Sequence, residues 1–274
     1  MPELPEVETI RRNILSCVGQ SFCRVIFRRD DILKRRDFEP EQLEGAVCRA
    51  IVRRGKYLRF LFDDERQMTV HLGMSGRLWR STDEEEQNLR HVHLILALEN
   101  GEFLLFYDPR RFGGVWLTVG TPMEIQRLGI EPLDVDFNET MQALWEKLRR
   151  RTAAVKETIL NQRLIAGLGN IYADESLFRA QIHPLRPTNS LTREEWRQLG
   201  HCMKDVLEAS LQNKGTTFRD YRDGLNRKGA FQDFLQVYGK AGKPCTQCGT
   251  ALQTVRIAGR SSCFCPCCQQ LPQE

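Results

Sequence analysis

The chain holds 274 residues, 41% hydrophobic and 28% charged, the balance of an ordinary globular protein long enough for two cored domains. Forty Lys and Arg against 36 Asp and Glu give a mild net charge of +4. No apolar run approaches the roughly 20 residues of a membrane span, and the acidic N-terminus lacks the basic-then-apolar order of a signal peptide; membrane and secreted proteins are set aside, and a cytoplasmic location is expected.

The chain opens Met1-Pro2-Glu3-Leu4-Pro5-Glu6. Removal of Met1, which a small following residue permits, would leave Pro2 as a free secondary amine. An α-amino group titrates near ~7.7–8.0 against about 10.4 for lysine, so a useful fraction is unprotonated at neutral pH. Such an amine can attack a sugar carbon and form an iminium, with Glu3 beside it to transfer a proton. The same residues would also serve as a plain helix start, with Glu3 favouring the N-terminal dipole. Apolar positions at Val7, Ile10, Ile14, Leu15 and Val18 predict a helix over 5–18, closed by Gly19.

Short β-type runs follow at 21–28, 46–53, 57–62, 67–72, 92–98, 102–107 and 114–119. Val92 to Leu96 and Phe103 to Phe106 read as inner strands of a sandwich or barrel. Arg53-Arg54-Gly55-Lys56-Tyr57 is a basic hairpin turn in which Lys56 can meet a phosphate or a leaving group; a solvated turn fits it as well. His71-Leu72-Gly73-Met74-Ser75-Gly76 and Asp108-Pro109-Arg110-Arg111-Phe112-Gly113 are glycine-flanked loops at strand ends. They present Met74, Arg110 and Phe112. An apolar wedge in a base stack, with an arginine reading the unpaired base, is the device of enzymes that flip nucleotides. Taken singly, Met74 and Phe112 would fit a core and Arg110 a surface. Asp83 to Glu86 reads as a solvated loop, and His91-x-His93, lacking a third ligand, as structural.

Between Thr121-Pro122 and Glu131-Pro132 the period changes, which marks a domain boundary. Helices are expected at 139–151, 153–161, 170–180 and 192–213. Asn161 to Asn170 separates two of them, with Gly167 and Gly169 freeing the backbone and Asn170 at an N-cap position. The amides of that helix start make a natural phosphate seat, although an ordinary helical corner fits equally. Residues 213–274 carry nine basic and four acidic side chains, a net +5, while the rest of the chain stands at −1. A basic ribbon on a near-neutral body points to a polyanion.

Within that ribbon, Cys245-x2-Cys248 and Cys265-x2-Cys268 are two metal knuckles separated by sixteen residues, a spacing that brings four sulfurs around zinc. Cys263 and Cys267 offer alternative sulfurs, but only Cys265 with Cys268 repeats the knuckle. A closed four-sulfur site is structural, so chemistry must come from elsewhere. Cys17, Cys23, Cys48 and Cys202 lie apart and read as reduced thiols.

Pro2 to Thr9, Arg54-Gly55-Lys56-Tyr57-Leu58, His71 to Met74, Asp108 to Gly113, Gly167 to Glu175, Gly215 to Tyr221, Val237-Tyr238-Gly239 and the cysteine knuckles together resemble the bacterial formamidopyrimidine-DNA glycosylases, in that family's order from residue 2 to 269. The resemblance implies an α+β multidomain protein. Its parts would be an N-terminal β-sandwich with an N-terminal helix (2–121), a helix-two-turn-helix domain (132–226) and a C-terminal zinc-finger β-hairpin (236–270), with DNA in the cleft between. It implies a monomer acting on double-stranded DNA that contains oxidised purines or abasic sites, with one structural zinc per chain. The implied activity is excision of 8-oxoguanine and formamidopyrimidines, then β,δ-elimination at the abasic site. By the same resemblance Pro2 is the nucleophile at C1′, Glu3 the proton donor, and Lys56 lies beside the lesion and scissile phosphates. Met74, Arg110 and Phe112 fill the vacated stack, and His71 and Arg111 belong to the DNA-binding set. Asn170 and Arg260 hold phosphates, Arg260 also counting among the catalytic residues, joined by Tyr238 and Lys156. Thr216, Thr217, Arg219 and Tyr221 lie in a loop that closes over the extruded base. Cys263 departs from the family's usual histidine and Lys240 from its common arginine.

Two other functions compete. One keeps the fold but prefers oxidised pyrimidines, as in the related endonuclease VIII; Leu4-Pro5 and the full-length capping loop resemble the purine branch instead. The other is a non-catalytic zinc-finger protein that binds damaged DNA, which would require Pro2 to stay blocked by Met1.

Overall fold

The computed structural model describes residues 1–218 and 221–272; Arg219 lies outside them. The chain forms two compact units, each made of two segments. Met1–Arg127 joins Leu211–Gln232 in one, and Leu128–Ser210 joins Asp233–Glu274 in the other.

The first unit begins with helix α1, Leu4–Asn13, capped by a reciprocal pair in which Glu3 is the N-cap and Glu6 closes the box. It is shorter than its apolar spacing predicts. Ile14 leaves helical geometry, and Leu15–Cys17 continues as a 3-10 turn before Gly19 at φ +87°. Nine strands follow: β1 Phe22–Phe27, β2 Leu33–Arg36, β3 Ala50–Arg54, β4 Tyr57–Leu61, β5 Arg66–His71, β6 Arg77–Ser81, β7 Val92–Leu98, β8 Phe103–Tyr107 and β9 Gly114–Val119. They build a four-stranded sheet, β1-β7-β8-β6, and a five-stranded one, β2-β9-β5-β4-β3. All pairs are antiparallel except β2 with β9. Inward residues of both sheets, such as Phe60 and Val70 from one and Leu96 and Phe106 from the other, share a single core with Val7, Ile10 and Ile14 of α1. This is the expected β-sandwich with its N-terminal helix. Tyr221, arriving from the unit's second segment, belongs to the same core.

Strands β2 and β6 were not foreseen. Leu33-Lys34-Arg35-Arg36 is an exposed edge strand without alternation, and Arg77 to Ser81 buries the neighbours Leu78 and Trp79 on opposite faces. A short helix α2, Met123–Gln126, ends the unit's first segment.

The second unit contains α3 Phe137–Leu148, α4 Val155–Ile159, α5 Asn170–Arg179 and all but the last two residues of α6 Arg193–Gln212, then the hairpin β10 Gln253–Ile257 and β11 Arg260–Phe264. Trp196 of α6 donates to Met141 O of α3, and Tyr172 of α5 bonds Ser210 of α6 across 2.6 Å, so the helices close on polar as well as apolar contacts. Among the described residues no helix is long and apolar enough to cross a membrane.

Candidate active site and metal centre

Register gathers the first unit's expected site residues. Arg54 pairs with Tyr57 across a two-residue turn, with Gly55 at φ +55° in the turn's first position, where positive φ is needed. Tyr57 pairs with His71, and His71 with Gly114. The turn bearing Lys56, the loop after His71 and the loop before Gly114 therefore share one end of the five-stranded sheet. Helix α1 runs toward that end as well. Its Arg11 meets Ile51 O, its Glu8 meets Arg53, and residues nearer Pro2 continue in the same direction. Burial would raise the Glu8 carboxyl, but hydrogen bonds from Arg11 and Arg12 and the guanidinium of Arg53 carry it below the ordinary carboxylate range. That ionised Glu8 fixes the helix to β3.

Pro2 and Glu3 are buried beneath an exposed Met1. The buried Glu6 carboxylate receives the Glu3 amide at 2.8 Å on one oxygen and the Thr216 amide at 2.7 Å on the other. One side chain thus joins the start of α1 to the base of the loop at 216. Thr216 and Tyr221 face inward; Thr217 bonds Tyr221 O and receives the Gly229 amide. Phe218 is exposed at the described edge of that loop.

The loops carrying Met74 and Phe112 interlock through glycine. A Cβ at Gly73 (φ +60°) would lie 2.3 Å from Gly113 N, and one at Gly113 would lie 2.6 Å from His71 O. Fully buried Asp108 ties the pair, accepting from Ser75 Oγ and Gly113 N at 2.7 Å each, while His93 Nε2 donates to its backbone carbonyl. Met74 and Phe112 remain outside this knot, 42% and 56% exposed, and the Arg110 guanidinium sits 4.7 Å over the Phe112 ring. Large apolar side chains held open by a rigid base do not belong to a core. Arg111, at φ +56°, pairs with Asp31. The His71 ring lies 4.7 Å from that of Tyr57, and its Nδ1 accepts the Gly73 amide, leaving the proton on Nε2. Burial, reinforced by the nearby Lys56 ammonium, lowers His71 to about 4, so it is neutral at physiological pH.

In the second unit Asn170 is the first residue of α5 rather than its cap. Gly169 holds the cap position, and the Asn170 amide donates to Ser261 O at 2.9 Å. Lys156 corrects a second expectation. Its ammonium has no exposure and is bonded to Asp174 at 2.5 Å and Ser262 Oγ at 2.6 Å, so it is not presented to a phosphate. Tyr238 is half-buried, and its amide donates to Glu175; Arg260 is exposed at the start of β11. Asp108 and Glu6 were missed as organisers. For Glu6 the Glu3-x-x-Glu6 spacing of a capping box was a readable signal; for Asp108 none exists in the sequence.

The sulfurs of Cys245, Cys248, Cys265 and Cys268 all lie within 4.8 Å of one another, with Cys245–Cys268 at 3.9 Å and Cys248–Cys265 at 3.5 Å. Four ~2.3 Å zinc–sulfur bonds in a regular tetrahedron put sulfurs about 3.8 Å apart, so the donor set fits that ion. The Gln247 and Cys268 amides point at Cys245 and Cys265 sulfurs, each at 3.4 Å. Cys263 is buried in β11 and Cys267 is exposed; neither belongs to the cluster.

Three family models match in order: the formamidopyrimidine-DNA glycosylase N-terminal domain at 1–115, the formamidopyrimidine-DNA glycosylase H2TH domain at 128–222, and the zinc finger found in FPG and IleRS at 242–271. The chain belongs to the formamidopyrimidine-DNA glycosylase family. A formamidopyrimidine-DNA glycosylase of Syntrophomonas wolfei is 46% identical, covering 98% of this chain and all of its own. A Lactococcus lactis Fpg mutant in complex with DNA containing Fapy-dG superposes with a TM-score of 0.89 at 36% identity, over 98% of this chain and all of its own. The wild-type Lactococcus lactis Fpg in complex with an oxidised pyrimidine in DNA gives 0.87 at 35% identity, with the same coverage. Membership of the formamidopyrimidine-DNA glycosylases also settles the metal: the four-cysteine cluster is a zinc finger that takes one structural zinc.

Proposed function

We propose that this chain excises oxidised purines, 8-oxoguanine and formamidopyrimidines, from double-stranded DNA, and then cleaves the abasic site by β,δ-elimination. The observation that carries this reading is the capped N-terminus. Glu6 holds the Glu3 amide and the Thr216 amide at once, so the N-terminal amine and the loop expected over the base share one support. After loss of Met1, the Pro2 amine attacks C1′ of the damaged nucleotide. Glu3 supplies the proton that opens the sugar ring, the base departs, and a Pro2 iminium remains. That iminium acidifies the adjacent sugar carbon, so successive eliminations expel the 3′ and 5′ phosphates. Lys56 and Arg260 stand as the cations beside those phosphates. Met74 and Phe112 occupy the stack from which the base has left, and Arg110 meets the orphaned partner. Asn170 and Tyr238 hold backbone phosphates.

Borohydride reduction on an 8-oxoguanine duplex, followed by peptide mapping, tests nucleophile and substrate together. The adduct is expected on Pro2, and Glu3→Gln is expected to bind lesion DNA without releasing base. An adduct on Lys56 would overturn the mechanism. Oxidised pyrimidines are a second substrate class, favoured by the Lactococcus lactis complex with such a base; trapping on a duplex containing one measures their share.

A further inference from the structure

Lys156 and Asp174 form a fully buried ion pair that the proposed chemistry does not use. Removing two charges from water is costly, and a well-packed apolar pair would fill the same space at least as stably. An apolar pair could not direct a strand. Asp174 accepts Lys156 on one oxygen and the Cys263 amide, at 3.0 Å, on the other. Lys156 donates in addition to Ser262 Oγ at 2.6 Å and Ser261 O at 3.3 Å, and Ser261 O also receives Asn170. Three consecutive residues of β11 are therefore pinned by side chains of α4 and α5, starting one residue after Arg260. The next acidic residue, Glu175, accepts the Gln236, Val237 and Tyr238 amides at 2.8–2.9 Å.

We propose that the Lys156–Asp174 pair is a positioning device that sets Arg260 against Asn170 at the start of α5, so that both meet DNA phosphates in one register. The inference rests on the reading of Arg260 and Asn170 as phosphate-holding residues. Zinc cannot do this alone. Its ligand Cys265 stands five residues beyond Arg260, roughly 16 Å along an extended strand, so the metal holds the paired hairpin at its far end and does not itself tie the Arg260 end to α4 and α5. The ion pair fixes the other end. It also explains why a lysine among basic residues near a phosphate grip is turned inward: its charge orders the strand that carries the exposed arginine.

The test uses full-length protein with zinc bound and a duplex carrying a tetrahydrofuran abasic-site analogue. Lys156→Met or Asp174→Leu alone strands a buried charge and is expected to lower the melting temperature sharply. The double variant Lys156→Met/Asp174→Leu removes both charges and is expected to regain most of that stability with one zinc per chain. It should nevertheless bind the duplex about tenfold more weakly, the scale of one lost charge-assisted contact. The Cys263 amide should lose its protection from hydrogen exchange. Adding Arg260→Ala to the double variant should weaken binding less than it does in wild type, because two changes acting through one contact are not additive. A double variant that folds and binds like wild type, or one in which Arg260→Ala costs its full wild-type factor, would overturn the proposal. If Arg260→Ala leaves wild-type binding unchanged, the phosphate reading of Arg260 fails instead, and Cys263 amide protection then decides whether the pair positions the strand at all.

Discussion

At Phe112 packing and the proposed role in base extrusion can be told apart in a single side chain. It is more than half exposed while its neighbour Gly113 is buried against Asp108, so truncating it removes little from the core. Phe112→Ala is expected to change the unfolding free energy by no more than about 0.5 kcal/mol, the usual range for a surface site. Excision of a stacked, damaged base should slow markedly, with less harm at an abasic site; equal losses on both substrates would return Phe112 to a structural role. His71 makes a second residue-scale prediction. Its folded value near 4 lies below the usual ~6.5 of an unfolded histidine, so the unfolded chain takes up the proton first. Stability from this group is complete above pH ~6.5 and is lost as pH falls toward 4. Nitrogen-15 spectra between pH 6 and 8 should show one neutral Nε2–H tautomer without titration. A midpoint near 6.5 would mean the ring is solvated. Neither Lys156 nor Asp108 could be placed from sequence, since a lysine or an aspartate reads the same whether buried or exposed until its partner, 18 or 33 residues away, is known.

At the scale of elements, the zinc hairpin is a rigid part built from few contacts. Its core is the cysteines themselves with Leu252, Val237 and Phe178 of α5. Chelation or Cys248→Ser should thus loosen 242–271 and weaken DNA binding, while the sandwich, whose core shares no residue with it, keeps its unfolding transition. Calorimetry with and without metal distinguishes this from global unfolding. Serine at both Cys263 and Cys267 should leave one zinc per chain; metal loss in that variant would reassign the ligands. Elements were legible in proportion to how regularly they bury their faces. Strand β4 alternates buried and half-buried positions and β7 is buried almost throughout, and both follow their patterns. Edge strand β2 has no buried face, and α4 runs only Val155–Ile159 where 153–161 was expected. The knuckles were legible because two residues of spacing are dictated by the metal itself.

For the molecule as a whole, the order of residues along the chain is not the order in which its parts are completed. Segment 211–232 returns to the sandwich after the helices, a path that no local period announces. A Cβ at Gly224 would meet Ile10 O, Ile14 and Asn13, so this segment lies directly against α1, and Tyr221 enters the core beside it. A fragment of residues 1–127 should therefore be poorly folded by circular dichroism and thermal melting, despite containing both sheets. Supplying 211–232 through a short linker should restore a cooperative transition. A cooperative melt of 1–127 alone at the wild-type temperature would refute this.

The same detour has a consequence during synthesis. A ribosome adds roughly 5–20 residues each second, so roughly a hundred residues, or about 5–20 s, separate the emergence of Arg127 from that of Gln232. Throughout that interval the nascent sandwich lacks its last strip of backbone, and Glu6 has no Thr216 amide to hold. The proposed repair centre closes only when the tail end of the message is being read.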